Sequence, residues 1–279
     1  MTRADFFREM YEKYTAKIPD RKAFLKRIGI ENEEISVTRE GLDKLQFAFL
    51  CSVPFENLDI YDYGVQFDFG IEELYEKIVV QRRGGYCFEL NALFTALLEE
   101  LGFDVYSVGV RIALNKFDNH YPPISHRAAI VTFDGIRYFT DVGFGMSLSP
   151  ATSLCIDDHS MQTIRGETFS VEDLPHNNKL IILHGKEGPT ELFAFSPDPF
   201  NILDFMTYNT TIQATGFREK RIVNLRKPDG TISVDGTILR ETTNGLKVET
   251  PLVMPLSVNT VLKDRFGMIL KTPLKENEG

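Results

Sequence analysis

Apolar residues in the first hundred positions recur at helical spacing. Phe6, Phe7, Met10, Tyr11 and Tyr14 share one face, and Ala23, Phe24, Leu25 and Ile28 follow, with Gly29 as a stop. A further helix is expected after Thr38, from Glu40 to Leu50 and running up to Pro54, and another over Ile71 to Val80. The strongest pattern spans Cys87 to Leu101. There Leu90, Leu93, Phe94, Leu97, Leu98 and Leu101 form a wide apolar stripe, ended by Gly102.

Past Gly102 the period changes. Phe103 to Leu114, Ser125 to Phe133 and Ile136 to Val142 are rich in β-branched and aromatic residues and predict strands, with Asp134-Gly135 as a hairpin turn between the last two. Shorter strands are expected at Thr168 to Val171, Lys179 to Leu183 and Glu191 to Phe195. Arg221 to Leu225, Thr231 to Val234, Thr237 to Arg240 and Leu246 to Glu249 are separated by Lys227-Pro228-Asp229-Gly230, Asp235-Gly236 and Asn244-Gly245, the signature of an antiparallel meander. A helix over Val258 to Phe266, capped by Ser257 and stopped by Gly267, precedes the polar tail Lys275 to Gly279. The order of helices, strands and then a meander with a helix predicts an α+β protein. Without a low-complexity linker or internal repeat, its parts are expected to share interfaces.

Length and charge narrow the partners. The 279 residues, 43% of them hydrophobic, can bury a substantial core in one large domain or in two to three smaller ones. A formal net charge of -9 provides no general attraction to phosphate backbones or anionic lipid, so nucleic acid is not an expected partner. The segment MTRADFFREMYEKYTAK lacks the apolar run of a signal peptide, and no stretch has the length and apolarity of a membrane span. A cytoplasmic protein with no membrane partner is therefore expected.

The three cysteines, Cys51, Cys87 and Cys155, lie far apart with no CxxC pair, so neither a zinc site nor a disulfide scaffold is expected. Cys87 differs from the other two in its surroundings, Arg82-Arg83-Gly84-Gly85-Tyr86-Cys87-Phe88-Glu89-Leu90-Asn91. A thiol is nucleophilic as thiolate, and a helix N-terminus with cationic neighbours stabilises that anion. The glycine pair lets the chain turn sharply and is expected to leave room for another molecule's backbone or acyl group to approach. The plainer alternative is a buried structural thiol.

His126 and Asp141 offer the partners that a nucleophilic cysteine needs. If Asp134-Gly135 is a two-residue turn, His126 stands opposite Gly143 and Asp141 opposite Ala128, on one face of the hairpin. The two are then diagonal neighbours, with backbones roughly 7–8 Å apart that the side chains can bridge. A three-residue loop would send them to opposite faces. Singly, each has an ordinary structural reading; on one face, they make a Cys-His-Asp arrangement plausible.

Val53-Pro54-Phe55-Glu56-Asn57-Leu58, Arg83 to Asn91, His126, and Asp141-Val142-Gly143-Phe144-Gly145 occur in the order and at the spacings of the arylamine N-acetyltransferases, which the sequence resembles. The likeness runs from about Lys22 towards the C-terminus, is strong to Gly145 and weaker beyond, and leaves the first twenty or so residues as an extension. It implies an N-terminal helical bundle over 1–101 carrying the nucleophile, an antiparallel β-barrel over 102–205 carrying the His and Asp, and an α/β lid over 206–279, around a papain-like cysteine-enzyme core. It implies Cys87, His126 and Asp141 as the catalytic residues and Phe55 and Phe144 as the lining of an aromatic acceptor pocket, although core packing explains Phe55 nearly as well. Acetyl-CoA would be the co-substrate, with no metal, and arylamines, arylhydroxylamines or hydrazines the acceptors, as in xenobiotic metabolism.

Towards CoA the chain departs from the pattern. Many relatives carry a Ser/Thr-Pro-containing segment before the lid strands, whereas this one reads Asn209 to Phe217 without a proline, and Pro122-Pro123 precede His126 where some relatives carry small polar residues. Thr215 and Gly216 are the expected cofactor contacts. Arg218, Lys220 and Arg221 are candidates for its phosphates, or equally a solvated strand face. Two other readings stay open: a papain-like or transglutaminase-like thiol hydrolase using the same three residues, and a noncatalytic relative that binds CoA or arylamine.

Overall fold

A computed structural model describes residues 1–65, 70–145, 148–215, 217–253 and 256–274. The chain opens with α1 (Arg3–Tyr14), α2 (Arg21–Arg27) and α3 (Arg39–Ser52), which start on the side-chain caps Thr2, Asp20 and Thr38. The two-residue strand β1 (Phe55–Glu56) and the single turn α4 (Leu58–Tyr61) follow, too short to leave a periodic signal. The helix expected over Ile71 to Val80 is α5 (Ile71–Tyr75) continued by a π-helical stretch, Glu76–Val80. Then comes α6 (Cys87–Leu101), closed by Gly102 in the left-handed conformation. Phe24, Phe49, Leu74, Ile78, Leu93 and Phe94 are among the buried residues that join these helices.

Eight antiparallel strands form the second layer: β2 (Asp104–Ile112), β3 (His126–Phe133), β4 (Ile136–Thr140), β5 (Leu154–Cys155), β6 (Gln162–Ile164), β7 (Glu167–Leu174), β8 (Asn178–Gly185) and β9 (Gly188–Phe195). Their order, β5-β4-β3-β2-β9-β8-β7-β6, curls into a nearly closed barrel around Phe139, Phe169, Ile181 and Phe193. The side chain of Gln162 bridges the two outer strands. Its Oε1 accepts from the Cys155 N–H at 2.9 Å, and its Nε2 donates to the Cys155 carbonyl at 2.8 Å.

The third part begins with α7 (Phe205–Thr215), which hydrophobic spacing does not reveal. Thr207, Thr210, Thr211 and Ile212 are poor helix formers, so tertiary packing supplies what propensity lacks. Phe205 is fully buried, with its ring 5.7 Å from Phe88 of α6 and 4.9 Å from Phe200. Strands β10 (Ile222–Lys227), β11 (Gly230–Asp235), β12 (Ile238–Thr243) and β13 (Leu246–Pro251) form the expected meander, and β1 pairs with β10 to extend it to five strands. Helix α8 (Leu256–Phe266) lays Val258, Leu262 and Phe266 against Val223, Val234 and Leu239 of this sheet. Ser257 lies inside α8 rather than capping it, its hydroxyl donating back to the Val253 carbonyl.

Candidate active site

Cys87 is the first residue of α6, three per cent exposed, and faces β3. The helix start is fixed by a capping box in which Glu89 Oε2 accepts from the Tyr86 N–H at 2.9 Å. The approach to it differs from the sequence-based expectation. The space beside Gly84 is filled by the protein itself: a Cβ there would lie 2.0 Å from the Pro54 carbonyl oxygen. Gly85 pairs with β1, its carbonyl accepting from Glu56 N at 2.9 Å. The glycines thus admit a strand rather than an acyl group.

Arg83 is likewise committed elsewhere. It binds Glu56 at 2.7 Å and Asp59 at 2.9 Å, while Lys77 reaches Asp59 and Glu89 at 2.6 Å each. Two cations and three carboxylates form one buried group beneath the helix start. Burial pushes the Glu89 carboxyl up to about 7 against the pull of Lys77. Cationic help for the thiol therefore comes from a different quarter than the arginine pair.

That quarter is the β3–β4 hairpin. Asp134 and Gly135 have φ of 50° and 80°, as a two-residue type I′ turn requires, and Phe133 pairs with Ile136 through to Ala129 with Thr140. His126 and Asp141 project to one side just past that ladder, and His126 Nε2 lies 2.8 Å from Asp141 Oδ2. With Nε2 engaged, Nδ1 is the ring nitrogen left to the thiol. Burial alone would drive the imidazole towards neutrality; the Asp141 carboxylate and then the Cys87 side chain outweigh it and raise the ring from 6.5 to about 10. Cys87 Sγ also lies 3.8 Å from the Ser125 carbonyl oxygen.

Asp141 is held from a second direction, which the sequence pattern did not single out. One helical turn beyond Cys87, Asn91 donates from Nδ2 to Asp141 Oδ1 at 2.8 Å and to the Arg127 carbonyl at 2.6 Å, and its Oδ1 accepts from Val142 N at 3.0 Å. Gly143 N also donates to Asp141 Oδ1, at 2.8 Å. A Cβ on Gly143 would sit 2.6 Å from Asn91 Nδ2 and 2.7 Å from Cys87 Cα, so the strand end and the helix start can close this tightly only over glycine. The i, i+4 spacing of Cys87 and Asn91 was the available signal.

Phe144 touches this centre directly, and Phe55 reaches it through Phe217 and Tyr86. The Phe144 ring meets His126 edge-on at 5.9 Å, and Phe193 stacks on the same imidazole at 5.8 Å. Phe55 packs against Phe217 at 5.9 Å, and Phe217 in turn lies 5.4 Å from Tyr86. Tyr86 also ties down α7: its hydroxyl bonds Asn209 Oδ1 and accepts from Gln213 Nε2 at 2.9 Å. Asn57 fixes the chain beyond, donating to the Phe217 and Lys220 carbonyls and accepting from Ile222 N.

Thr215 is the last residue of α7, and Gly216 lies outside the described residues. Of the basic residues beyond, Arg221 is buried in an ion pair with Asp62, Lys220 pairs with Asp235 at 2.9 Å, and Arg218 donates to the Gln213 carbonyl. Cys155 sits in the barrel wall, and burial raises the thiol of Cys51. Among the described residues no three His, Cys, Asp or Glu side chains gather as metal ligands, and no helix is long and apolar enough to cross a membrane.

Fold and site together define a class of acyl-transferring enzyme, and the profile of the N-acetyltransferase family matches residues 38–275. The chain belongs to that family, as one of the arylamine N-acetyltransferases. It is 26% identical over 284 residues to arylamine N-acetyltransferase 2 of Mesocricetus auratus, covering 93% of this chain and 98% of that one. The solved arylamine N-acetyltransferase of M. tuberculosis superposes with a TM-score of 0.82 at 27% identity, covering 89% of this chain and 94% of the other. A complex of the Mycobacterium marinum enzyme with CoA gives a TM-score of 0.81 at 26% identity, covering 89% and 93%.

Proposed function

We propose that the protein transfers acetyl from acetyl-CoA to aromatic amines through an acetyl-cysteine on Cys87. The observation that carries this reading is the 2.8 Å bond between His126 Nε2 and Asp141 Oδ2, which equips His126 to take the Cys87 proton and form an imidazolium–thiolate pair at a helix start. The Cys87 thiolate attacks the thioester carbon, and the tetrahedral intermediate expels CoA, which takes a proton from His126. The amine then attacks the acetyl carbon, gives its proton to His126, and Cys87 leaves as thiolate. Donor product departs before acceptor attack, so the kinetics are ping-pong. Asp141 supplies orientation and charge throughout, fixed by Asn91 and Gly143.

Phe144 and Phe55 are the side chains we assign to the acceptor pocket, supported by their contacts with His126 and with the Phe217 to Tyr86 stack. Thr215 and Gly216 are assigned to CoA on the likeness to the family alone. The division into 1–101, 102–205 and 206–279 is read as nucleophile-bearing bundle, His- and Asp-bearing barrel, and lid. A cytoplasmic role in acetylating foreign amines, arylhydroxylamines and hydrazines belongs to the same reading. Intact-protein mass spectrometry within seconds of adding acetyl-CoA is expected to show one acetyl group on Cys87, removed by an aniline or an aminobenzoate. Amide cleavage without that adduct would assign the three residues to a hydrolase instead.

A further inference from the structure

Successive residues of a strand face opposite ways, so Arg127 points away from the side that His126 serves. The residue is 2% exposed. Nε and Nη2 donate to the Ser107 hydroxyl at 3.1 and 2.9 Å, and the Phe205 ring covers one face at 4.8 Å. Nη1 is buried and has no hydrogen-bond partner among the described residues, and no ion pair is formed. A guanidinium withdrawn from water without a carboxylate is costly, so an unpaired one calls for an explanation.

The explanation lies beside it. Arg127 lines a cavity of about 490 Å³ between α1, α6 and β2, walled also by Tyr11, Ala96, Tyr106 and Phe200. Among the described residues Glu99 is the one carboxylate in that lining; it stands at the rim, within electrostatic reach of Arg127 but with no hydrogen bond or ion pair to it. A single buried positive charge accommodates one negative charge, and one spare donor nitrogen favours a group that accepts through a single oxygen. The aromatic walls suit a flat apolar body. Tyr11, Tyr14 and Thr15 of the wall come from α1 and its C-cap, which precede the residues matched by the family profile.

We propose that this cavity is a second ligand site, separate from the Cys87 centre, which binds a small aromatic monocarboxylate with its carboxylate on Arg127 and its ring between Tyr11, Tyr106 and Phe200. Because Arg127 is part of the wall, rotation of its terminal bonds brings Nη1 to the ligand. The site does not depend on the acetyl-transfer chemistry, so its test is a binding measurement.

The probe is 4-fluorobenzoate, followed by fluorine NMR on the full chain, with 4-fluorobenzyl alcohol as the uncharged control. Saturable one-to-one binding of the acid is expected both in the untreated protein and after alkylation of Cys87 with iodoacetamide. Arg127→Met and Ala96→Phe should each weaken it at least about tenfold, the first by removing the charge and the second by filling the cavity. Arg127→Met exchanges an unpaired buried cation for an apolar chain of similar length, so it is expected to fold. Circular dichroism checks both variants. Failure of the acid to saturate, equal binding of the alcohol, unchanged affinity in both variants, or loss of binding on alkylation of Cys87 would each overturn the site.

Discussion

The seam between α6 and the β3–β4 hairpin and the outer edge of the five-stranded sheet are built on opposite terms. In the seam, Asn91, His126 and Asp141 are at most 2% exposed, and each joins at least one buried hydrogen bond to another element. In β13 all six residues are exposed, and its Lys247 and Glu249 make ion pairs in open solvent. A polar group without water must be met by protein, so each partner in the seam constrains its neighbour to a few tenths of an ångström. At the sheet edge water replaces any lost partner, and the same kinds of charge contribute little. Charge alone therefore does not mark importance in this chain; charge shut away from water does.

Substitutions can break that contrast. The largest effect is expected from Cys87→Ser, which should reduce acetyl-CoA-dependent turnover of an aniline on the order of 10⁵-fold while leaving the circular dichroism spectrum unchanged. Turnover within tenfold of the parent would remove Cys87 from the chemistry. Asp141→Asn keeps the size of the side chain but not its charge, and the expected loss is about 10³- to 10⁴-fold in kcat/KM. A near-normal rate would make Asp141 a turn-stabilising residue only.

Asn91→Ala tests whether support of the carboxylate matters as well as the carboxylate. It removes the Asn91 partner of Val142 N and of the Arg127 carbonyl and leaves Asp141 Oδ1 with Gly143 N alone, at a cost of about 2 kcal/mol in denaturant unfolding. Displacement of Asp141 should lower turnover by about 10²-fold. Unchanged turnover alongside the stability loss would reduce Asn91 to packing.

The raised value of His126 gives a pH signature. A group whose folded value lies above its unfolded one contributes fully below the unfolded value and loses that contribution as pH rises through the folded one. For His126 the window runs from 6.5 to about 10. Melting temperatures of the parent should fall across that window more steeply than those of Asp141→Asn, and parallel curves would disprove the pairing. The smallest effect is expected at the sheet edge, where Glu249→Ala should shift the melting temperature by no more than about 1 °C. A shift of several times that would mean that the edge is not the loosely held region its exposure indicates.

Periodicity and turn chemistry carried much of the architecture. The stripe from Leu90 to Leu101 and the stop at Gly102 bounded α6, and Asp134-Gly135 set the register that brings His126 and Asp141 to one side. What stayed hidden depends on contacts remote in sequence. Helix α7 forms because Phe205 and Tyr86 hold it, not because its threonines favour it. Lys77 reads as an ordinary surface lysine until the π-helical stretch places it beside Asp59 and Glu89. Arg82-Arg83 suggested a cation for the thiol, whereas Arg83 had its carboxylates waiting in Glu56 and Asp59, residues that no local pattern ties to it.

That group of Glu56, Asp59, Lys77, Arg83 and Glu89 has a consequence for how the chain can change over time. Loss of Lys77 or Arg83 would leave three carboxylates to a single cation where water is excluded, and Glu89 sits two positions from the thiol in the first turn of α6. Replacing either cation alone lowers fitness, so sequences that lack Lys77 or Arg83 should also lack one of the carboxylates. Drift through this corner of the molecule must move in pairs, and the helix start inherits that slowness.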